Sequence, residues 1–264
     1  MELIENIRPV KLRNVQQLFQ CPFLSKIETS TSIHFIEQYQ KIAHVLIAQL
    51  IIDHYEKESG SGITILVDLT YSWNTNNKCY RIIEQRLKSL NKSSHLIIVR
   101  NINNFTDLLR LLKSIQDTTY FKNKPELLDF PISSIFIDNI SVFYWECLIS
   151  ENIEQEYNGL ASILMKLKSF YGSSIITTSW DKDFDQSPLN TFKSAKPDVL
   201  NYCNLPMKYL CSFRHVYFLK KVLNNRTHEE VIIGKYFPSG GDDNSFDIHD
   251  DKLLQKHKLE YLIK

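Results

Sequence analysis

Residues 133–138 read as a short apolar strand that closes on Asp138, while no glycine lies between Met1 and Gly60. A buried strand with Asp at its carboxyl end is one half of a phosphate-loop nucleotide site, where the carboxylate holds magnesium. The other half is G-x-x-x-x-G-K-[ST] between an earlier strand and its helix, where glycine amides and a lysine surround phosphate. Here the earlier strand is 32–37, followed by Gln38, Tyr39, Gln40, Lys41 and a helix. The frame of an ATPase core is present without the means to hold a triphosphate. That combination points to assembly or binding, and no cofactor is expected.

Periodicity supplies the rest of the architecture. An apolar helix over about 41–57 and a Gly60-Ser61-Gly62 break lead into a second buried strand, 63–68. An amphipathic helix follows over about 78–90, then a strand at 95–99. The next helix, 105–116, carries Leu108, Leu109, Leu111, Leu112 and Ile115 as its apolar side. Residues 146–156 are acidic and polar. A helix over 156–171 stops at Gly172, and 173–179 is the fifth strand. A long loop, 181–205, separates it from two alternating runs, 214–221 and 229–237, joined as a hairpin through Asn224-Asn225-Arg226. Strands apolar on both faces, alternating with helices, predict a mostly parallel α/β sheet covered on both sides, with an antiparallel hairpin on one edge. The expected division is an extension over 1–31, a domain over 32–238 and a charged tail over 239–264 made of a linker and a weak helix.

Composition removes several function classes. At 264 residues and 43% hydrophobic, the chain can bury one full α/β core. A net charge of +1 confines any nucleic-acid contact to a local patch. Five cysteines without a C-x-x-C, at 21, 79, 147, 203 and 211, favour reduced thiols over a disulfide framework or zinc site. No secretory leader is expected at the amino terminus, and the longest apolar run, 42–52, contains His44 and Gln49 and is too short to span a bilayer. No membrane contact is expected. The eight histidines form no H-E-x-x-H, no metal site is expected, and there is no G-x-S-x-G elbow.

Asp138 and Asp68 each invite two readings, a metal carboxylate or a cap on the following turn, and the cap is favoured at both. Residues 181–226 hold eight cations against four carboxylates, with Trp180, Phe184, Phe192 and Tyr202 interleaved. Cations on a long loop neutralise phosphates and aromatics stack on unpaired bases, but an ordinary solvated loop has the same composition. The DNA-contact candidates are Lys182, Lys193 and Lys196. Phe143, Tyr144 and Trp145 are three consecutive aromatics that either meet a partner subunit or fill a groove within the fold. Lys78, Arg81, Arg86, Lys88 and Lys92 read as a solvated helix face.

The stretch 133–145, the helix after it, the strand 174–179, a long loop and the run 215–221 together resemble the second half of a RecA-like recombinase paralogue core. Within those paralogues the pattern is similar to the platinum-sensitivity subunits of Shu complexes, which also lack the phosphate loop. It is echoed in residues 1–8, in Leu66-Val67-Asp68 with Trp73 downstream, and in Phe170-Tyr171-Gly172 before Ile175-Ile176-Thr177. The resemblance covers 1–238. It implies a nuclear, non-enzymatic subunit that forms a heterodimer with a second RecA-like subunit, binds DNA and promotes recombinase filament assembly in homologous-recombination repair and error-free damage tolerance. It also implies that 146–155 and 181–205 occupy the positions of the two DNA-facing loops. Glutamates in the first argue against phosphate contact there. The second has Lys193 and Lys196 in its middle in place of a tight basic cluster, which shifts weight onto the partner's share of the surface. The alternatives are a structural scaffold without DNA contact and a divergent ATPase using Asp138.

Overall fold

The computed structural model describes residues 30–38, 42–56, 62–122, 125–127, 130–182, 202–223, 230–238 and 261–263. Its strands are β1 (Ser32–Glu37), β2 (Ile63–Asp68), β3 (Leu96–Val99), β4 (Ile132–Asp138), β5 (Ser174–Trp180), β6 (His215–Leu223), β7 (Glu230–Pro238) and β8 (Tyr261–Ile263). Its helices are α1 (Ile42–Glu56), α2 (Lys78–Ser89), α3 (Phe105–Gln116), α4 (Tyr144–Ile149), α5 (Ile153–Tyr171) and α6 (Met207–Cys211).

These form one sheet in the order β3-β2-β4-β5-β1-β6-β7-β8. The first six in that order pair with one another in parallel. Strand β1 and strand β4 are separated by β5, the order expected when a phosphate strand and a magnesium strand belong to a RecA-like α/β core. On the far edge β7 pairs antiparallel with β6, and β8 with β7. The expected turn at 224–226 lies outside the described residues, as do 1–29 of the expected extension and most of the tail. Tyr261–Ile263 is a strand in place of the weak helix expected of that tail.

Period-two alternation divides the strand side chains between two layers. Ile33, Phe35, Leu66, Phe136, Ile176 and Tyr217 pack under α1 and α2. Ile36, Ile65, Val67, Ile135, Ile137 and Ile175 pack under α3, α4, α5 and α6. Helix α1 carries apolar residues on every side, and it buries Ile42, Leu46, Ile47, Ile51 and Ile52 together with His44 and Gln49. Helices α2 and α3 open on asparagine caps. Asn77 Oδ1 accepts from the Cys79 and Tyr80 amides, and Asn104 Oδ1 from the Asp107 amide. Gly172 takes φ 66° and ends α5, as its position predicts.

The acidic segment after β4 is mostly helical. Helix α4 occupies 144–149 and α5 begins at Ile153, so the polar stretch is two helix ends with a tight join at Glu151, φ 57°. Among the described residues no helix is long and apolar enough to cross a membrane.

Candidate functional site

The carboxyl ends of β1, β2, β4 and β5 converge where a nucleotide would lie in a core of this order. Asp138, at the end of β4, is 1% exposed. Its Oδ2 accepts from Trp73 Nε1 at 2.6 Å and from His44 Nε2 at 2.8 Å, and its Oδ1 from Thr178 Oγ1 at 2.6 Å. Burial pushes this carboxyl up, but the hydrogen bonds from His44, Thr178 and Trp73 outweigh it and hold the group below its ordinary value. The ionised form is therefore the one the fold stabilises.

The His44 tautomer follows from the Asn77 cap. Because Asn77 Oδ1 accepts two helix amides, its Nδ2 faces His44 Nδ1 at 3.1 Å and donates to it. Nδ1 is then an acceptor, so Nε2 carries the proton that reaches Asp138. The Asp138–Asn139 peptide is cis, and Asn139 Oδ1 accepts from the Ser141 amide. The cap expected of Asp138 thus falls to its neighbour.

Asp68, at the end of β2, does behave as a turn cap. Its oxygens accept from the Ser72 and Trp73 amides, both at 2.9 Å, and Arg100 Nε lies 3.4 Å away. Arg100 also donates to the Trp73 carbonyl. The 68–73 turn is thereby fixed, with Trp73 completely buried and its indole aimed at Asp138.

The phosphate side is occupied in the same way. Residues 38–41 join β1 to α1, too few for the amide nest of a phosphate loop, and 39–41 lie outside the described residues. Glu37 Oε2 accepts from the Ala43 amide at 2.8 Å, at the first turn of α1. A buried carboxylate of the chain sits where a helix amino terminus would otherwise meet an anion. Magnesium, which asks for carboxylate oxygens in an octahedral shell with water, meets an Asp138 whose two oxygens already hold three donors. Magnesium and triphosphate do not fit these residues.

Among the described residues no group of histidines, cysteines and carboxylates could hold a metal ion. Cys79, Cys147 and Cys203 are free thiols. Burial pushes the Cys203 thiol up to about 11 and the Cys147 thiol up to about 12, so neither is a nucleophile near neutral pH.

The sequence-derived candidates scatter. Lys182 follows β5 and is half-buried, with its amide donating to the Tyr202 carbonyl at 2.9 Å. Lys193 and Lys196 lie outside the described residues. The aromatic triplet divides. Phe143 (3% exposed) and Tyr144 (8%) belong to the core, while Trp145 is 47% exposed. Helical geometry turns consecutive residues to different sides, so the partner-facing candidate narrows to Trp145. Neither His44 nor Thr178 stands out in the sequence. Both act through contacts between elements far apart in the chain, which no local pattern signals.

No curated protein matches the chain. A family model for the Shu complex component Psy3, with a DNA-binding description, matches residues 12–221, a span that takes in β1 to β5 and the cleft they form. The chain belongs to the family of the Shu complex component Psy3.

Proposed function

We propose that the chain is a non-catalytic subunit of a recombinase-mediator complex. In this reading it pairs with a second RecA-like subunit, contacts DNA and promotes recombinase filament assembly in the nucleus. Family membership carries a role in the Shu complex and in homologous-recombination repair. The DNA contact, the heterodimer and the filament step are the parts proposed. The observation that carries the non-catalytic reading is the saturation of Asp138 by Trp73, His44 and Thr178, with Glu37 on the α1 amide. An internal network of this kind does the structural work of a bound nucleotide without turnover.

DNA contact is assigned to the loop after β5, through Lys182, Lys193 and Lys196, with the family's DNA-binding description in support. Partner contact is assigned to the surface around Trp145. Two measurements test the reading. Purified protein with ATP and magnesium should show no turnover above background; turnover that disappears in an Asp138→Ala protein still folded at the assay temperature would establish a divergent ATPase instead. The reconstituted complex should lose DNA affinity when Lys193 and Lys196 are both replaced by alanine. Unchanged affinity would favour a scaffold subunit without DNA contact.

A further inference from the structure

The densest exposed apolar surface in the described residues lies on α4 and the turn before it. Ile149 is 81% exposed, Trp145 47%, Leu148 39% and Val142 37%. Trp145, Leu148 and Ile149 stand at i, i+3 and i+4, so they share one helix face while Tyr144 and Cys147 point inward. The Trp145 ring is braced edge-on against Tyr144 at 5.3 Å between centroids. An exposed tryptophan held in place by a buried neighbour is a prepaid contact, because little rotamer freedom remains to be lost on docking.

The chain segment that carries this face has charge of one sign. No Lys, Arg or His occurs between Lys124 and Lys166, a span that carries only acidic ionisable side chains besides tyrosine and cysteine, although cations and carboxylates nearly balance over the whole chain. Glu146, Glu151 and Glu154 are exposed and lie among or just after the apolar residues along the chain. Glu146 is oriented by the Phe105 amide, which donates to both its oxygens at 3.2 and 3.3 Å. The face also lies at the same end of the sheet as Lys182, since α4 follows β4 and Lys182 follows β5. A phosphate approaching that end is drawn towards Lys182 and repelled by the glutamates.

We propose that Trp145, Leu148 and Ile149 form an apolar knob, collared by Glu146, Glu151 and Glu154, that docks into a cation-rimmed apolar socket on another subunit of the Shu complex. Complementarity of charge selects the occupant. An aromatic knob alone would accept a base or a protein pocket, whereas the carboxylate collar disfavours nucleic acid and rewards lysine or arginine at the socket's rim. The proposal rests on the assembly role above and names the chemistry of the contact.

The test is co-expression of the full chain with the remaining Shu subunits, followed by affinity measurement at low and high salt. Trp145→Ala with Ile149→Ala should weaken assembly at least about tenfold at both salts, as loss of a central aromatic anchor does. Glu151→Lys with Glu154→Lys should weaken it at low salt, with the gap to wild type narrowing as salt rises. Glu146 is left intact because it holds the Phe105 amide. Melting of the free chain should move little in either variant, since all four side chains are exposed. Intact assembly in both variants overturns the proposal. So does loss of DNA affinity in an apolar variant that still assembles, which would make the knob a base-stacking surface. Failure of the wild-type complex to bind DNA would sink the DNA-contact reading and leave this assembly readout untouched.

Discussion

The indole Nε1 of Trp73 donates to the carboxylate of Asp138 across 2.6 Å, with both residues withdrawn from water. The two lie 65 positions apart, on a turn after β2 and at the end of β4. Their contact closes the position a metal ion would take and ties the two strands' loops together. A hydrogen bond to an ionised acceptor stabilises by about 1.5–3 kcal/mol. Trp73→Phe removes the indole N–H and also one ring of a fully buried side chain, so it should cost at least that much in denaturant unfolding. Asp138→Ala should cost more than about 3 kcal/mol, because it orphans the Trp73, His44 and Thr178 donors together. Near-neutral results for both would mean that water satisfies the donors and that the cleft is open.

His34 sets the acid limit. It lies inside β1 between the Thr177 and Ser179 hydroxyls, at 2.7 and 2.9 Å, and burial pushes it down to about 3 from an ordinary 6.5. Above pH 6.5 both folded and unfolded chains hold it neutral. Below that, the unfolded chain binds a proton the folded chain refuses, so stability falls by up to about 1.4 kcal/mol per pH unit as pH drops towards about 3. Asp138 acts in the same direction only at the acid end. Its contribution is present above its unfolded value of 3.8 and is lost below it. Denaturant melts between pH 7 and 4 should show the decline, and His34→Gln should flatten it. An equal slope in that variant would place the proton uptake elsewhere.

Gly62 opens β2 at φ 105°, and a Cβ added there would lie 2.5 Å from the Pro131 carbonyl oxygen. That carbonyl accepts the Ile63 amide at 2.8 Å and so cannot withdraw without breaking the first contact between β2 and the chain entering β4. Gly62→Ala combines a disfavoured backbone with a steric clash and should cost about 2–4 kcal/mol. A thermal melt within a degree or two of wild type would show that the entry to β2 can shift freely.

For the loop after β5, the prediction is electrostatic. Replacing Lys193 and Lys196 by alanine in the reconstituted complex should reduce the slope of log affinity against log salt by up to about two units, and similarly across DNA sequences. Stability should move by no more than about half a kcal/mol. An unchanged slope removes these lysines from the DNA contact.

The strand–helix order, the parallel sheet and the end of α5 at Gly172 were legible in the chain because each rests on local chemistry. Apolar runs of five or six residues, a 3.6-residue stripe and a left-handed glycine are written within one element. The missing phosphate loop was legible for the same reason, being a short contiguous motif. What the sequence left open at Asp138 was a choice between metal carboxylate and turn cap, and the structure takes neither. Asp138 is satisfied by His44 from α1, Trp73 from the turn after β2 and Thr178 from β5, residues separated from it by 94, 65 and 40 positions. The aromatic triplet was ambiguous because its resolution depends on which way α4 turns over the sheet, burying Phe143 and Tyr144 and leaving Trp145 outside. Local pattern decides which elements form. Only packing, which brings distant side chains within about 3 Å of one carboxylate, decides whether a site is open or already filled.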